Sequence, residues 1–389
     1  MDLDEVRSLL DPTVTYGLGA VTELPALVAS LRARRTLLVC GRRSFEASGA
    51  AVVLPDLEQL GAVARWDDFR PNTDADDLAG GLEVLRSFKP DLILGVGGGS
   101  AMDMAKLLAA YATTPGDVRD VIAAGARIDG RDPQLVLVPT TSGSGAEATH
   151  FAVVYLGSEK HSIAGPALHA DAVVLDPELS LSGSTHQRAT SGIDAVAQAI
   201  ESLWATGADD DSRGYARQAL TLLLPALVPY VTSDVPDAQL AHDVTHGAHL
   251  AGRAIDISKT TAAHALSYGL TKGYGVPHGH AVGLTLGAFI AAHADAGTDE
   301  LQERIEPPTH RAVMDEILVL LGASDGDAAH RRVDGLLTEL GLEPGLAANG
   351  VTTAAQRRAL AEGVNVERLD NNPVVYDTAG LEALLERCG

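Results

Sequence analysis

The hydrophobic pattern of this chain changes rhythm near its middle. In the first half, short apolar runs at 36–40 (TLLVC), 91–96 (DLILGV), 135–139 (LVLVP) and 172–176 (AVVLD) are bounded by turn residues. Helical patterns such as 74–88 and 101–112 lie between several of them. Val/Leu-rich runs without polar alternation, separated by helices, predict strands buried on both faces of a parallel sheet. Beyond about Thr185 strand-like runs almost vanish. Long Ala/Leu-rich stretches replace them at 194–205, 211–231, 236–258, 261–270, 281–294, 308–321, 331–340 and 354–364. This half predicts a helical domain. The Ser-, Thr- and Gly-rich segment 180–190 is the expected boundary, giving an α/β domain over 1–182 and an all-α domain over 183–389.

Composition narrows the function classes. At 389 residues, with 46% hydrophobic and 21% charged positions, the chain is globular and too long for one core. Its formal charge of −23 argues against nucleic acid, which is bound mainly through basic residues. An anionic ligand then needs a local cluster of donors acting against the overall field. Two cysteines far apart, Cys40 and Cys388, make a disulfide framework or a thiolate zinc site improbable. The first fourteen residues are acidic and lack a leader pattern, and no apolar run is long enough to span a bilayer. A cytoplasmic protein without a membrane partner is expected.

The sharpest local signal is the turn from Gly95 to Lys106, GVGGGSAMDMAK. A buried strand runs into Gly97, Gly98 and Gly99, then Ser100 at an expected N-cap, then a helix. Glycines allow close backbone approach and a helix N-terminus favours anions, so the turn can cradle phosphate. The spacing matches neither the usual dinucleotide fingerprint nor a Walker A loop, and a tight turn without a ligand is the bland alternative. A second hydroxyl-rich loop, TTSGSGAE from Thr140 to Glu147, follows the strand at 135–139. Two such loops at carboxyl ends of parallel strands suit a long ligand such as a dinucleotide, although hydroxyls there also serve as helix caps. After the strand at 36–40 come Gly41, Arg42, Arg43 and Ser44. An acid there would suit the ribose of NAD; arginines without one tilt the expectation to NADP(H) over NAD(H).

The helical half carries a set of metal-ligand types. Asp194 and Gln198 lie four apart, on one helix face, and His264 and His278 lie fourteen apart. A carboxylate, an amide oxygen and two imidazoles suit a divalent ion such as Fe(II) or Zn(II). His242, His246 and His249 offer a rival cluster; their neighbours Asp243 and Arg253 suggest a solvated surface instead.

Together these motifs resemble the iron-dependent (group III) alcohol dehydrogenase family, which has a dehydroquinate synthase-like fold. The likeness runs from VTYG at Val14 through FRPN, GGGSAMDMAK, PTTSGSGAE, KHSI at Lys160 and GIDAVAQAIES to RLDNNP at Arg368. It implies an α/β dinucleotide-binding domain and a helical metal-binding domain, in a homodimer. It implies further that Gly97, Gly98, Gly99 and Ser100 bind the pyrophosphate. Asp103, Thr140, Thr141 and Ser144 would touch other parts of the cofactor, and Lys160 its ribose. Asp194, His264 and His278 match three of the four metal ligands. The fourth, commonly His in the family, is Gln198. A relay histidine is commonly found where this chain has Tyr268.

The segments SKTTAAHALSY and PHGHAV resemble a narrower branch, the phosphonoacetaldehyde reductases, which make 2-hydroxyethylphosphonate. Lys259, Thr260 and Lys272, the last placed in the loop leading to His278, are then expected to bind the anionic headgroup of a small aldehyde, although lysines at a helix end are often simply solvated. The metal would polarise the carbonyl oxygen and the nicotinamide would supply hydride. Tyr268 or His280 would protonate the product. An ordinary short-chain alcohol dehydrogenase and a sugar-phosphate cyclase of the dehydroquinate synthase type remain alternatives.

Overall fold

The computed structural model describes residues 13–389 except 126, 127, 129, 158, 235 and 365. The N-terminal stretch read as lacking a leader lies, through residue 12, outside the described residues. Two compact units, Met1–Gly183 and Ser184–Gly389, divide the chain.

The first unit is built on a six-stranded sheet. Its strands are β1 (Val14–Tyr16), β2 (Arg35–Cys40), β3 (Ala62–Trp66), β4 (Leu92–Gly97), β5 (Gln134–Pro139) and β8 (Ala172–Leu175). They are ordered β1-β8-β5-β4-β2-β3, with every pairing parallel. Alternate residues feed two cores. Leu37, Val39, Ile93, Leu135 and Leu137 pack on one face, while Leu38, Cys40, Leu94, Val136 and Val138 pack on the other. Cover on both faces is why these strands read as continuous apolar runs. The antiparallel hairpin of β6 (Phe151–Leu156) and β7 (Glu159–Ala164) forms a separate two-stranded sheet. That hairpin was not expected: β7 reads EKHSIA, mostly polar, and most of it is partly or fully exposed.

The second unit is helical among its described residues. Its centre is the helix Thr185–Trp204, which is wholly buried from Gly192 to Trp204. It begins nine residues before the expected start, capped by the Ser184 side chain, which accepts from Gln187 N at 3.2 Å. Helices Asp210–Thr232, Ala238–Ser258 and His278–Asp295 pack around it, and Ala262–Tyr274 packs on His278–Asp295. No described helix is long and apolar enough to cross a membrane.

Three expectations are corrected here. Ser100 is not an N-cap: the helix Gly99–Tyr111 is capped from Gly98, and Ser100 Oγ accepts from Asn72 N at 3.1 Å. Lys272 is not in the loop before His278 but exposed in the last turn of the helix Ala262–Tyr274. There it complements the negative end of the helix dipole. His242, His246 and His249 are buried, not solvated. Burial and its neighbours His249 and His242 push His246 down to about 3, so it is neutral in the core.

Candidate active site

In the first unit, the glycine turn and the hydroxyl loop leave adjacent strand ends, since Gly97 of β4 pairs with Pro139 of β5. A Cβ on Gly98 would lie 3.2 Å from Thr141 Oγ1, and one on Gly99 would lie 3.1 Å from Ser144 Oγ. A Cβ on Gly97 would meet the Cβ of Ala101 at 2.7 Å. The turn is therefore backbone faced by two hydroxyls, at the start of a thirteen-residue helix. N–H and O–H donors at a positive dipole end fit a pyrophosphate. Thr140 continues the contact, its N–H donating to Gly97 O at 2.9 Å.

A buried cation that the sequence reading passed over holds this arrangement. Lys106, fully buried in the Gly99–Tyr111 helix, donates to Ala146 O at 2.7 Å, Thr149 Oγ1 at 2.9 Å and Phe151 O at 2.6 Å. It pins the far end of the hydroxyl loop to the glycine-turn helix. Asp103, one turn earlier, accepts from Val153 N at 3.1 Å. Burial raises its carboxyl to about 6 against the opposing pull of Lys106, that backbone bond and Lys160. Lys160 lies on β7, paired in register with Tyr155. At the end of β2, a Cβ on Gly41 would come within 2.2 Å of Ser44 Oγ. Arg42 keeps 66% of its side chain exposed and bridges to Asp68 at 2.8 Å.

In the second unit, one ligand atom each from Asp194, His264 and His278 lie within 4.8 Å of one another. His264 Nε2 is 3.3 Å from Asp194 Oδ1, and His278 Nε2 is 3.8 Å from the same oxygen. Gln198, one turn after Asp194, donates Nε2–H to Asp194 Oδ2 at 3.2 Å, which leaves Oε1 as the atom it can offer a cation. Close approach of the two ligand-bearing helices depends on Gly279. A Cβ there would lie 2.0 Å from Thr190 O and 2.7 Å from the Cβ of Asp194.

The rings are oriented from behind. Ser267 Oγ donates to His264 O at 2.7 Å, so its lone pair accepts from His278 Nδ1–H at 3.2 Å, and Nε2 of His278 faces Asp194 as the bare nitrogen. His264 Nδ1 is bonded to Glu201 Oε2, which turns its Nε2 to Asp194. Glu201 is completely buried. Its other oxygen accepts from Thr261 Oγ1 at 2.8 Å, Ala263 N at 3.0 Å and His264 N at 3.3 Å. One carboxylate thus caps the Ala262–Tyr274 helix, whose own N-cap Thr261 makes no side-chain cap, and orients its first ligand. Burial pushes Glu201 upward, but His264, Thr261 and the backbone N–H outweigh it and hold the carboxyl low. Burial likewise opposes a charge on His264, yet Glu201 and Asp194 raise it to about 10. A buried anion beside two imidazoles and an amide oxygen is a donor set that fits a divalent ion.

Glu201 is the residue the sequence reading missed. It lies seven positions after Asp194 and three after Gln198, on the same helix face. Its partner 63 residues away is what sequence spacing could not supply.

The remaining residues divide. Tyr268, one turn after His264, stacks on His278 with ring centroids 6.1 Å apart and planes 17° apart. His280 is turned away: two positions on from His278 is about 200° around the helix, and its Nε2–H donates to Glu343 O at 2.9 Å. Lys259 and Thr260 form the connection between the helices Ala238–Ser258 and Ala262–Tyr274. Lys272 lies eight residues beyond His264, ~12 Å along the axis.

Residues 12–177 match the iron-containing alcohol dehydrogenase model, and residues 188–389 match the C-terminal model of the Fe-containing alcohol dehydrogenase family. The chain is 35% identical over 332 residues to the phosphonoacetaldehyde reductase of Streptomyces viridochromogenes, covering 82% of each. It is 28% identical to long-chain-alcohol dehydrogenase 1 of Geobacillus thermodenitrificans, over 98% of this chain and 96% of that one. Among solved structures, the sulfoacetaldehyde reductase of Bifidobacterium kashiwanohense in complex with NAD+ superposes with a TM-score of 0.85 at 26% identity. That match covers 97% of this chain and 96% of the other.

Proposed function

Because the chain belongs to the iron-containing alcohol dehydrogenase family and is an oxidoreductase, we propose that it reduces a small anionic aldehyde with NADPH. The substrate we assign is phosphonoacetaldehyde, and the product 2-hydroxyethylphosphonate. The observation that carries the chemistry is the convergence of Asp194, His264 and His278, with Gln198 beside them. Support for the substrate comes from two relatives whose names denote two-carbon aldehydes bearing an anionic group, a phosphonate and a sulfonate.

A divalent metal held there supplies Lewis-acid polarisation of a carbonyl oxygen, and a bound nicotinamide supplies hydride. The protein's own residues do the rest. Asp194 brings the negative charge that retains a cation in a buried place, and Glu201 and Ser267 fix which imidazole nitrogens carry lone pairs. Tyr268, on the ring of His278, holds a phenolic proton for the nascent alkoxide. Gly97, Gly98 and Gly99 admit the pyrophosphate to backbone N–H groups, and the hydroxyls of Thr141 and Ser144 complete its cradle. Asp103, on the helix that follows the glycine turn, and Lys160, on β7, serve other parts of the cofactor. Lys259 supplies the local cation that an anionic substrate needs on a chain of charge −23. The preference for NADPH rests on Gly41, which brings no carboxylate of its own, and on Arg42 beside it, once released from Asp68.

The test is NADPH oxidation by metal-stripped and metal-reconstituted protein, offered phosphonoacetaldehyde, acetaldehyde and a sugar phosphate. Stoichiometric NADPH loss with phosphonoacetaldehyde, only after reconstitution, is expected. Turnover of the sugar phosphate without net NADPH loss would instead identify a cyclase.

A further inference from the structure

Lys259 occupies a backbone conformation that side chains avoid. Its φ is 59° and its ψ 174°, in a region populated essentially by glycine. Such a residue persists only where its surroundings over-determine it, and here one side chain does so. Asn371 Nδ2 donates to the carbonyls on either side of Lys259, to Ser258 O at 2.8 Å and to Thr260 O at 3.1 Å. Its Oδ1 accepts from Gly207 N at 3.0 Å and Thr206 Oγ1 at 3.1 Å, and its own carbonyl accepts from Thr206 N at 2.9 Å. All four hydrogen-bonding positions of the amide are used. There is no slack around it, since a Cβ on Gly207 would lie 3.1 Å from Ser258 O and 3.2 Å from Asn371 Oδ1.

We propose that Asn371 is a positioning residue for substrate selection, holding Lys259 in its strained turn so that its ammonium meets the anionic end of the aldehyde. This rests on the anionic-substrate reading given above. Three facts lead to it. Lys259 stands five residues before His264, so its backbone angles set where its side chain leaves the chain relative to the ligand helix. The residue tolerated there is a lysine, although glycine would relieve the strain, and strain of this kind collects at ligand clamps. The amide that holds it spans segments more than a hundred residues apart and spends all four of its hydrogen-bonding positions on the backbone and side chain of these two turns.

The experiment pairs kinetics with a stability cycle on the metal-loaded enzyme, using Asn371→Ala, Lys259→Gly and Lys259→Ala. Asn371→Ala and Lys259→Ala should each raise KM for phosphonoacetaldehyde roughly tenfold, the loss of one charge-assisted hydrogen bond. KM for propanal and kcat for both substrates should stay within about twofold. Lys259→Gly should melt above wild type, whereas Lys259→Ala should not. The drop in Tm caused by Asn371→Ala should be at least halved in the Lys259→Gly background. Equal KM rises on both aldehydes, or none with Asn371→Ala, would overturn the positioning role. A wild-type enzyme indifferent between the two aldehydes would overturn the anionic reading alone. Absence of coupling in the Tm cycle would overturn the clamp whatever the substrate.

Discussion

Replacing Glu201 by Gln changes one atom at the back of the candidate metal centre, and the structure sets the outcome. One oxygen of Glu201 takes three donors, Thr261 Oγ1, Ala263 N and His264 N, and the other takes His264 Nδ1–H. An amide can serve only one of these two sides as acceptor. With its NH2 toward the three donors, it leaves two buried N–H groups of the helix start unsatisfied, at ~1–3 kcal/mol each. With its oxygen there, its NH2 faces Nδ1, which must then accept. The imidazole proton moves to Nε2, the nitrogen that faces Asp194, and His264 loses its ligand lone pair. The second arrangement costs less in folding, so the damage should appear in metal binding. A loss on the order of 10–100-fold in affinity is expected, the usual consequence of removing a partner behind a ligating histidine. Titration of the metal-stripped protein with Zn(II) against a chromogenic chelator reads this directly, and Tm of the stripped protein should fall by little. A variant binding metal within about twofold of wild type would refute the orienting role of Glu201.

Three further outcomes follow from local geometry. Gly279→Ala places a methyl against Thr190 O and Asp194, so it should cost about 1–3 kcal/mol by calorimetry and weaken metal binding as the His278 helix is displaced; unchanged affinity would count against the close approach. Asp103 has a folded pKa near 6 against an ordinary value of 3.8, so its contribution to stability is complete below about pH 4 and lost as pH rises through 6. Asp103→Asn should therefore match wild type in unfolding free energy at pH 3.5 and exceed it above pH 6, by about 1–3 kcal/mol for a half-buried group whose pKa is raised; equal stabilities at pH 7 would contradict this. Arg42 must be drawn from Asp68 before it can serve a 2′-phosphate, so Asp68→Asn should lower KM for NADPH several-fold and leave KM for NADH unchanged, as steady-state kinetics with both cofactors would show.

The parts legible in the sequence were those whose cause is local. Strands β2, β4, β5 and β8 showed as apolar runs because both faces of each are covered. β7 did not show, because its residues are polar and it pairs only within its hairpin. Asp194 and Gln198 were legible as an i, i+4 pair, and extending that face to i+7 reaches Glu201. Nothing near Glu201 announces that His264 will lie behind it. His242, His246 and His249 misled because charged neighbours were weighed above their own spacing, which is the i, i+4, i+7 stripe of a buried helix face. Asn371 belonged to a motif that was noticed, yet its work is done on residues 258 and 260, and a backbone angle at Lys259 leaves no mark in composition or periodicity.

The claim on which the rest depends is that Asp194, Gln198, His264 and His278 hold one ion. Anomalous diffraction from crystals of the metal-reconstituted protein, recorded at the iron and zinc edges, tests it most directly. The predicted result is one strong peak within about 2.0–2.2 Å of a carboxylate oxygen of Asp194 and of Nε2 of both histidines, with Gln198 Oε1 turned toward it. A peak among His242, His246 and His249, or none near Asp194 in fully active protein, would contradict the account.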